Sequence, residues 1–372
     1  MATKILHAGS DKQIRAAARK AARALKAGKL VAFATETVYG IAAVATLPDT
    51  MERLRELKSR PTRPFSVHIA SPDDVGRYVR DVPADAEKLI RKCWPGPVTL
   101  LLPTGGKLAE PALQKRGLHD VLVHDGVIGL RCPAEPAAQA MLAGVPDPVV
   151  APSANLAGQP SPRDGQEVLA TLDGKIDVLL DSGPTRYGKD STIVLFDADG
   201  KWTVVRQGVL DERVIRRALR TTLLFVCTGN TCRSPMAAGL ARKLLAERLG
   251  CTVRALESHG VEVFSAGVAG GGQCPATPEA VAAARHLGAD IRNHRSRKLT
   301  SELIRDADMI FCMTDFHVEA ARVLAPTAAG RIVRLSAAGD IPDPIGGGGD
   351  VYRRTAENLL KAVQERLDKV RL

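Results

Sequence analysis

The chain has 372 residues, more than the roughly 250 to 300 at which a single hydrophobic core stops growing, so two domains of ordinary size are expected. Hydrophobic residues at 45% and charged residues at 25% exclude a disordered chain, and aromatics at 3% call for aliphatic, alanine-rich cores. A formal charge of +11 favours polyanionic ligands such as nucleotides, RNA or phosphorylated proteins, although solvated Lys and Arg faces account for it equally well.

Residues 13–26 carry Ala, Leu and Arg at helical spacing, and Gly28 punctuates entry into an apolar strand at 30–33. Short buried strands are expected at 98–102, 149–151, 178–180 and 192–196, with one more at 202–206, separated by Pro- and Gly-rich loops. The pattern changes at 211–220, a basic helical segment, before a new strand at 223–226. The expected division is a first domain at 1–210, a linker at 211–221 and a second domain at 222–372. Further strands at 261–265, 309–313 and 332–335 alternate with helical patterns, which predicts an open parallel sheet with helices on both faces.

No run of eighteen apolar residues and no signal-peptide pattern occurs, so a soluble, cytoplasmic protein with no membrane partner is expected. Seven cysteines without a CxxC pair argue against a disulfide framework and a structural zinc site.

In the N-terminal half, Thr35-Glu36-Thr37-Val38-Tyr39-Gly40 follows a strand and is too polar for a simple core turn. The run Lys58-Ser59-Arg60-Pro61-Thr62-Arg63-Pro64 pins a trio of cations in a loop, which suits a triphosphate. Downstream stand Trp94-Pro95-Gly96-Pro97-Val98-Thr99, Gly129-Leu130-Arg131-Cys132-Pro133, Pro152-Ser153-Ala154-Asn155, Ser191-Thr192-Ile193-Val194 and Arg206-Gln207-Gly208. Their order and spacing resemble the Sua5/YrdC/TsaC family over about residues 10–210.

The resemblance implies a YrdC-like twisted α/β domain. Its implied activity forms threonylcarbamoyl-AMP and pyrophosphate from L-threonine, bicarbonate and ATP, for the N6-threonylcarbamoyladenosine modification of tRNA. It implies that Thr35, Arg131 and Ser191 hold threonine and that Lys58, Arg60, Ser153, Asn155, Ser161 and Arg206 hold ATP, with His68 and Thr99 lining the same cleft. Magnesium is implied with ATP, and tRNA is served through separate threonylcarbamoyl-transfer proteins. Two positions depart from the family: Ala34 stands where proline is usual, and the loop from Pro61 to Phe65 is one residue short. The longer members' accessory C-terminal domain is absent, and the 206–220 stretch is a candidate for its lid function.

In the C-terminal half, a strand runs into Cys227-Thr228-Gly229-Asn230-Thr231-Cys232-Arg233-Ser234, and a helical pattern follows over 235–249. Five residues between Cys and Arg let the loop curl around a phosphate with its backbone N–H groups inward, and Gly229 is expected to permit the tight path. Arg233 can clasp two phosphoryl oxygens. The same positive environment is expected to depress the Cys227 pKa, with Ser234 hydrogen-bonded to the thiolate. A bare Cys-x5-Arg spacing also fits a buried core thiol. The Ser-Pro helix start and the distant Asp343-Pro344 pair make the whole resemble the low-molecular-weight protein-tyrosine phosphatase family over about 222–372.

That resemblance implies a phosphatase I-like sheet and no cofactor. Cys227 is implied as nucleophile, Arg233 as phosphate ligand and Asp343 as general acid. Within the family the run is similar to bacterial protein-arginine phosphatases, with Thr231 as the discriminating position, so the implied substrate is a phosphoprotein carrying phosphoarginine or phosphotyrosine. Ile345 replaces the usual aromatic after Asp-Pro, and Cys232 is a candidate for a protective disulfide with Cys227 under oxidation, as its family counterparts are. Two alternatives stay open at this point: an RNA-binding module without catalysis for the first half, and an arsenate reductase for the second. Against them stand the lack of interleaved aromatics and the lack of any cysteine after Cys312.

Overall fold

The computed structural model describes residues 2–60, 62 and 64–370, so Pro61 and Arg63 of the basic loop lie outside the described residues. The chain divides into two compact units, Met1–Ala218 and Leu219–Leu372. The segment expected as a linker is ordered. Thr192 Oγ1 donates to the Leu210 carbonyl at 2.6 Å and accepts the N–H groups of Gly208 and Leu210. The helix Glu212–Ala218 then packs against the helix Ala84–Cys93. Residues 206–218 are therefore held against the first unit by a buried threonine and by that helix.

The first unit is a mixed sheet of β1 (Lys4–His7), β2 (Val31–Ala34), β3 (Tyr39–Val44), β4 (Val67–His68), β5 (Val98–Pro103), β6 (Val123–His124), β7 (Val127–Arg131), β8 (Val149–Val150), β9 (Val178–Asp181), β10 (Thr192–Phe196) and β11 (Trp202–Arg206). Its order is β1-β9-β2-β3-β8-β4-β7-β5-β10-β11, with β6 paired to β7. The helix Asp11–Lys26 buries Ala17, Ala18, Ala21, Ala22 and Leu25 in a cluster shared with Ala137, Ala138 and Met141 and with Val31 and Phe33 of the sheet. Small side chains let the backbones close in: a Cβ on Gly144 would stand 2.9 Å from that of Ala22. The low aromatic content is thus absorbed by close helix approach.

The second unit is a parallel sheet of β12 (Thr221–Cys227), β13 (Val261–Gly267), β14 (Met309–Cys312) and β15 (Ile332–Arg334), in the order β13-β12-β14-β15. Side chains alternate along β12. Leu223, Phe225 and Cys227 face the helices Arg233–Arg248, Pro278–His286 and Gly349–Leu367, while Leu224 and Val226 join the cluster under Ser301–Asp306 and Asp315–Leu324. The chain passes from β12 to β13 on one side and crosses back to β14 on the other. The carboxyl end of β12, where Cys227 sits, is therefore the switch point at which open α/β sheets place ligands. The helix starts at Arg233, ahead of the expected residue 235, because Pro235 lies in the first turn, where a backbone N–H has no intrahelical partner to lose.

Candidate active sites

The turn between β2 and β3 is closed by Thr35. Its Oγ1 donates to the Val38 carbonyl at 2.7 Å and accepts the N–H groups of Thr37 and Val38. Arg131, at the end of β7, points Nη2 into this turn, 3.2 Å from Thr35 Oγ1, 2.6 Å from Thr37 Oγ1 and 2.7 Å from Glu36 Oε1. The other Glu36 oxygen accepts the Ala134 N–H at 2.7 Å. Arg131 Nε is buried and has no hydrogen-bond partner among the described residues. Glu36 is the residue that motif reading passed over. Its signal was the polarity of the run itself, since a carboxylate there needs a buried cation.

Thr35, Arg131, His68, Thr99, Ser191, Lys58, Arg60, Ser153 and Arg206 line one cavity of about 1090 Å³. Asn155 and Ser161 are not on its wall and stand one step behind. Lys58 Nζ donates to the Ser153 carbonyl at 2.9 Å and to the Asn155 carbonyl and Oδ1 at 2.5 and 2.9 Å, which engages all three of its hydrogens. Ser161 Oγ donates to Asp190 Oδ1 at 3.0 Å. Burial lowers the Lys58 pKa to about 8 against the opposing pull of Asp190. Arg206 Nη2 donates to Ser191 Oγ at 3.0 Å, and Ser191 Oγ lies 2.9 Å from Thr99 Oγ1. His68 is held neutral: burial, then the Arg131 charge, lower its pKa to about 3. The cavity is thus lined by a buried arginine, Arg131, together with further cations, Lys58, Arg60 and Arg206.

In the second unit the loop after β12 is built around Asn230. It adopts φ 59°, so the left-handed residue is Asn230 and not Gly229 as expected. The asparagine side chain makes that conformation worthwhile: Nδ2 donates to Ser234 Oγ at 2.8 Å and Ser265 Oγ at 2.9 Å, while Oδ1 accepts the Arg297 N–H at 2.9 Å. His294 Nε2 lies 2.7 Å from the Asn230 carbonyl. The loop rests directly on β13, since a Cβ on Gly267 would stand 2.4 Å from the Thr228 carbonyl oxygen. Cys227 Sγ, 2.9 Å from Ser234 Oγ, accepts the Asn230 N–H at 3.2 Å. Ser234 Oγ accepts from Asn230, and its hydrogen has two acceptors within reach, Cys227 Sγ and the Ala266 carbonyl at 3.4 Å.

The expectation of a depressed Cys227 pKa is corrected. Burial pushes the thiol up, against the lowering effects of Ser234, the Asn230 N–H and Arg233. Arg233 is not free to act fully on sulfur: Nη2 is ion-paired with Asp343 and lies 3.2 Å from Thr228 Oγ1, while Nη1 donates to the Ile341 carbonyl at 3.1 Å. Its Nε is buried without a partner. The structure therefore brings Cys227, Arg233, Asp343 and Ser234 together. Cys232 Sγ sits 3.3 Å from Tyr352 Oη, and both loop cysteines are free thiols. Thr231 passes its carbonyl to the Thr277 N–H at 3.0 Å.

Residues 23–208 match the family model for Sua5/YciO/YrdC, described as telomere recombination, and residues 222–371 match that for low molecular weight phosphotyrosine protein phosphatase. The chain belongs to both families. Its Sua5/YrdC half is 39% identical over 177 residues to threonylcarbamoyl-AMP synthase of Pyrococcus abyssi, covering 47% of this chain and 49% of that protein. It is 36% identical over 201 residues to the Bacillus subtilis protein of the same name, covering 54% and 56%. The chain thus spans about half the length of these curated relatives. Its phosphatase half is 38% identical over 159 residues to protein-arginine-phosphatase of Bacillus subtilis, covering 40% of this chain and 98% of that protein. Among solved structures, a double variant of P. abyssi Sua5 aligns at a TM-score of 0.50 and 26% identity, covering 72% of this chain and 91% of that one. Among the described residues no helix is long and apolar enough to cross a membrane.

Proposed function

We propose that the chain is bifunctional. The Sua5/YrdC half joins L-threonine, bicarbonate and ATP into threonylcarbamoyl-AMP with release of pyrophosphate. The phosphatase half hydrolyses phosphoprotein through a phosphocysteine intermediate.

The observation that supports the first reading is one cavity lined by Arg131, held by Glu36, and by Lys58, Arg60 and Arg206. Arg131, with Thr35 and Ser191, holds the amino acid. Its amine nitrogen bonds to the carbon of bicarbonate with loss of water, an oxygen of the resulting carbamate attacks the α-phosphorus, the new P–O bond replaces the α–β bridge, and pyrophosphate leaves. Arg60, Arg206 and Ser153 face the nucleotide directly, while Asn155 and Ser161 act through Lys58 and Asp190. Magnesium enters with the nucleotide as part of the substrate. Orientation of this kind is worth up to about 7–11 kcal/mol, so no covalent nucleophile is required. The product serves tRNA modification through separate transfer proteins. The test is pyrophosphate release by the purified chain with ATP and magnesium. Release that depends on both threonine and bicarbonate, with threonylcarbamoyl-AMP seen by mass spectrometry, supports the reading; RNA binding without release leaves only a binding module.

For the second half the supporting observation is the Cys227–Ser234–Asn230 array with Arg233 and Asp343 beside it. An incoming phosphoryl dianion is a stronger partner for Arg233 than one carboxylate, so it takes the guanidinium and frees Asp343. The Cys227 thiol proton passes to the freed Asp343 carboxylate, sulfur bonds to phosphorus as the bond to the leaving group breaks, and that group departs with the proton from Asp343; water, giving its proton to Asp343, then displaces the thiolate, which takes that proton back as phosphate leaves. With Thr231 in the loop, phosphoarginine is the favoured substrate. Cys227→Ser should abolish hydrolysis of phosphoarginine and of phosphotyrosine while pyrophosphate release continues. Hydrolysis that survives this change removes the mechanism.

A further inference from the structure

The first loop residue after the nucleophile, Thr228, is exposed at the mouth of the phosphatase site, yet its hydroxyl oxygen is held from two sides. Arg233 Nη2 lies 3.2 Å away and His317 Nε2 3.0 Å away. His317 comes from the helix Asp315–Leu324, remote in sequence, and is 1% exposed. Behind it Thr314, the residue that caps this helix, places Oγ1 2.7 Å from His317 Nδ1 and accepts the His317 backbone N–H.

Two tautomers of His317 satisfy these contacts, and a bound anion selects the one in which Thr314 Oγ1, already accepting from the backbone, donates to His317 Nδ1, because only that one leaves the Thr228 hydrogen to the anion. With Nδ1 accepting, the ring of a neutral imidazole carries its hydrogen on Nε2 and donates it to Thr228 Oγ1. Burial, then the Arg233 charge, lower the His317 pKa to about 4, which keeps the ring neutral near pH 7. Arg233 is donor only. In that tautomer Thr228 Oγ1 accepts from both His317 and Arg233, and its own hydrogen is left for the anion.

The geometry assigns Thr228 as an oriented side-chain donor to the bound phosphoryl group, and His317, set by Thr314, as the residue that positions it. The inference rests on the phosphatase reading and adds to the backbone N–H groups and Arg233 one hydroxyl whose oxygen is held in place before the substrate arrives, so that little reorientation is left to the moment of reaction.

The test uses the full chain hydrolysing para-nitrophenyl phosphate, with inorganic phosphate as competitive inhibitor. Thr228→Val keeps the shape and removes the hydroxyl; the inhibition constant for phosphate should rise by about tenfold, the scale of one hydrogen bond to a charged group. His317→Leu should give a rise of similar size, while His317→Gln, whose amide nitrogen can stand where Nε2 stands, should stay close to the unmodified chain. The double variant Thr228→Val with His317→Leu should be no weaker than either alone, since both remove one contact. An unchanged inhibition constant in Thr228→Val, whose exposed position makes misfolding no excuse, overturns the assignment. So does a His317→Gln chain as impaired as His317→Leu, or losses that add. An unmodified chain without any hydrolysis overturns the phosphatase reading itself, an outcome distinct from an active chain that ignores these substitutions.

Discussion

Glu36 Oε1 stands 2.7 Å from Arg131 Nη2, with both side chains only 7% exposed. Two residues 95 positions apart thus form a buried ion pair at the wall of the proposed threonine site. Removing one partner strands a charge in a low-dielectric setting. Glu36→Ala is expected to cost the first unit about 3–5 kcal/mol and to raise KM for threonine. Both tryptophans, Trp94 and Trp202, lie in that unit, so fluorescence in a urea titration reads it alone. A stability change below about 1 kcal/mol would show that the pair is not structural.

Asp343→Asn removes the proposed proton donor and leaves Arg233 without its resting partner. We expect kcat to fall by roughly 10²–10⁴-fold while phosphate inhibition is kept or tightened, because the guanidinium no longer has a carboxylate to release. Steady-state rates with an activated aryl phosphate, whose leaving group needs little protonation, should fall less. Equal losses on activated and unactivated substrates would argue that Asp343 serves only to place Arg233.

Burial raises the Cys227 pKa, and Ser234 is the first of the groups that act against it. Ser234→Ala deletes the hydroxyl donor to sulfur, so the thiolate should form at still higher pH. The rate of alkylation of Cys227 by iodoacetamide, followed by mass spectrometry of its peptide, rises with pH through the thiol's ionisation. In the Ser234→Ala chain its midpoint should move upward. A midpoint that stays put or falls would mean that Ser234 does not stabilise the thiolate in the empty site.

His68 is neutral when folded, with a pKa lowered to about 3 from an ordinary 6.5. The unfolded chain therefore takes up a proton below pH 6.5 that the folded chain refuses. The stability this group contributes is present above 6.5 and is lost as the pH falls toward 3. Two pH steps below 6.5, at pH 4.5, the first unit should have lost on the order of 2–3 kcal/mol from this histidine. His68→Gln cannot take up that proton, so the fluorescence-detected urea midpoint should depend less on pH in this window. An unaltered slope would place the acid sensitivity elsewhere.

Features that live within a dozen residues were legible without coordinates. The run from Cys227 to Ser234 is strand, loop and helix in sequence order, and both ends of its chemistry, thiol and guanidinium, lie inside it. The strands at 192–196 and 202–206 were legible for the same reason, since short apolar runs and flanking breakers are local signals. What folding decided is how distant groups occupy one another. Asn230 was visible as a loop residue, but its role as hub depends on Ser265, which the β12–β13 pairing brings to it, and on Arg297, whose segment bridges to Gly267 at the end of β13. Lys58 was visible as a cation, yet its three hydrogens are engaged by a segment 95 residues on. His317 carried no local pattern to mark it. The residue types and their order determined which chemistry is possible here; the tertiary structure decided which of those groups are already paired, because burial without a partner is too costly to leave the choice open.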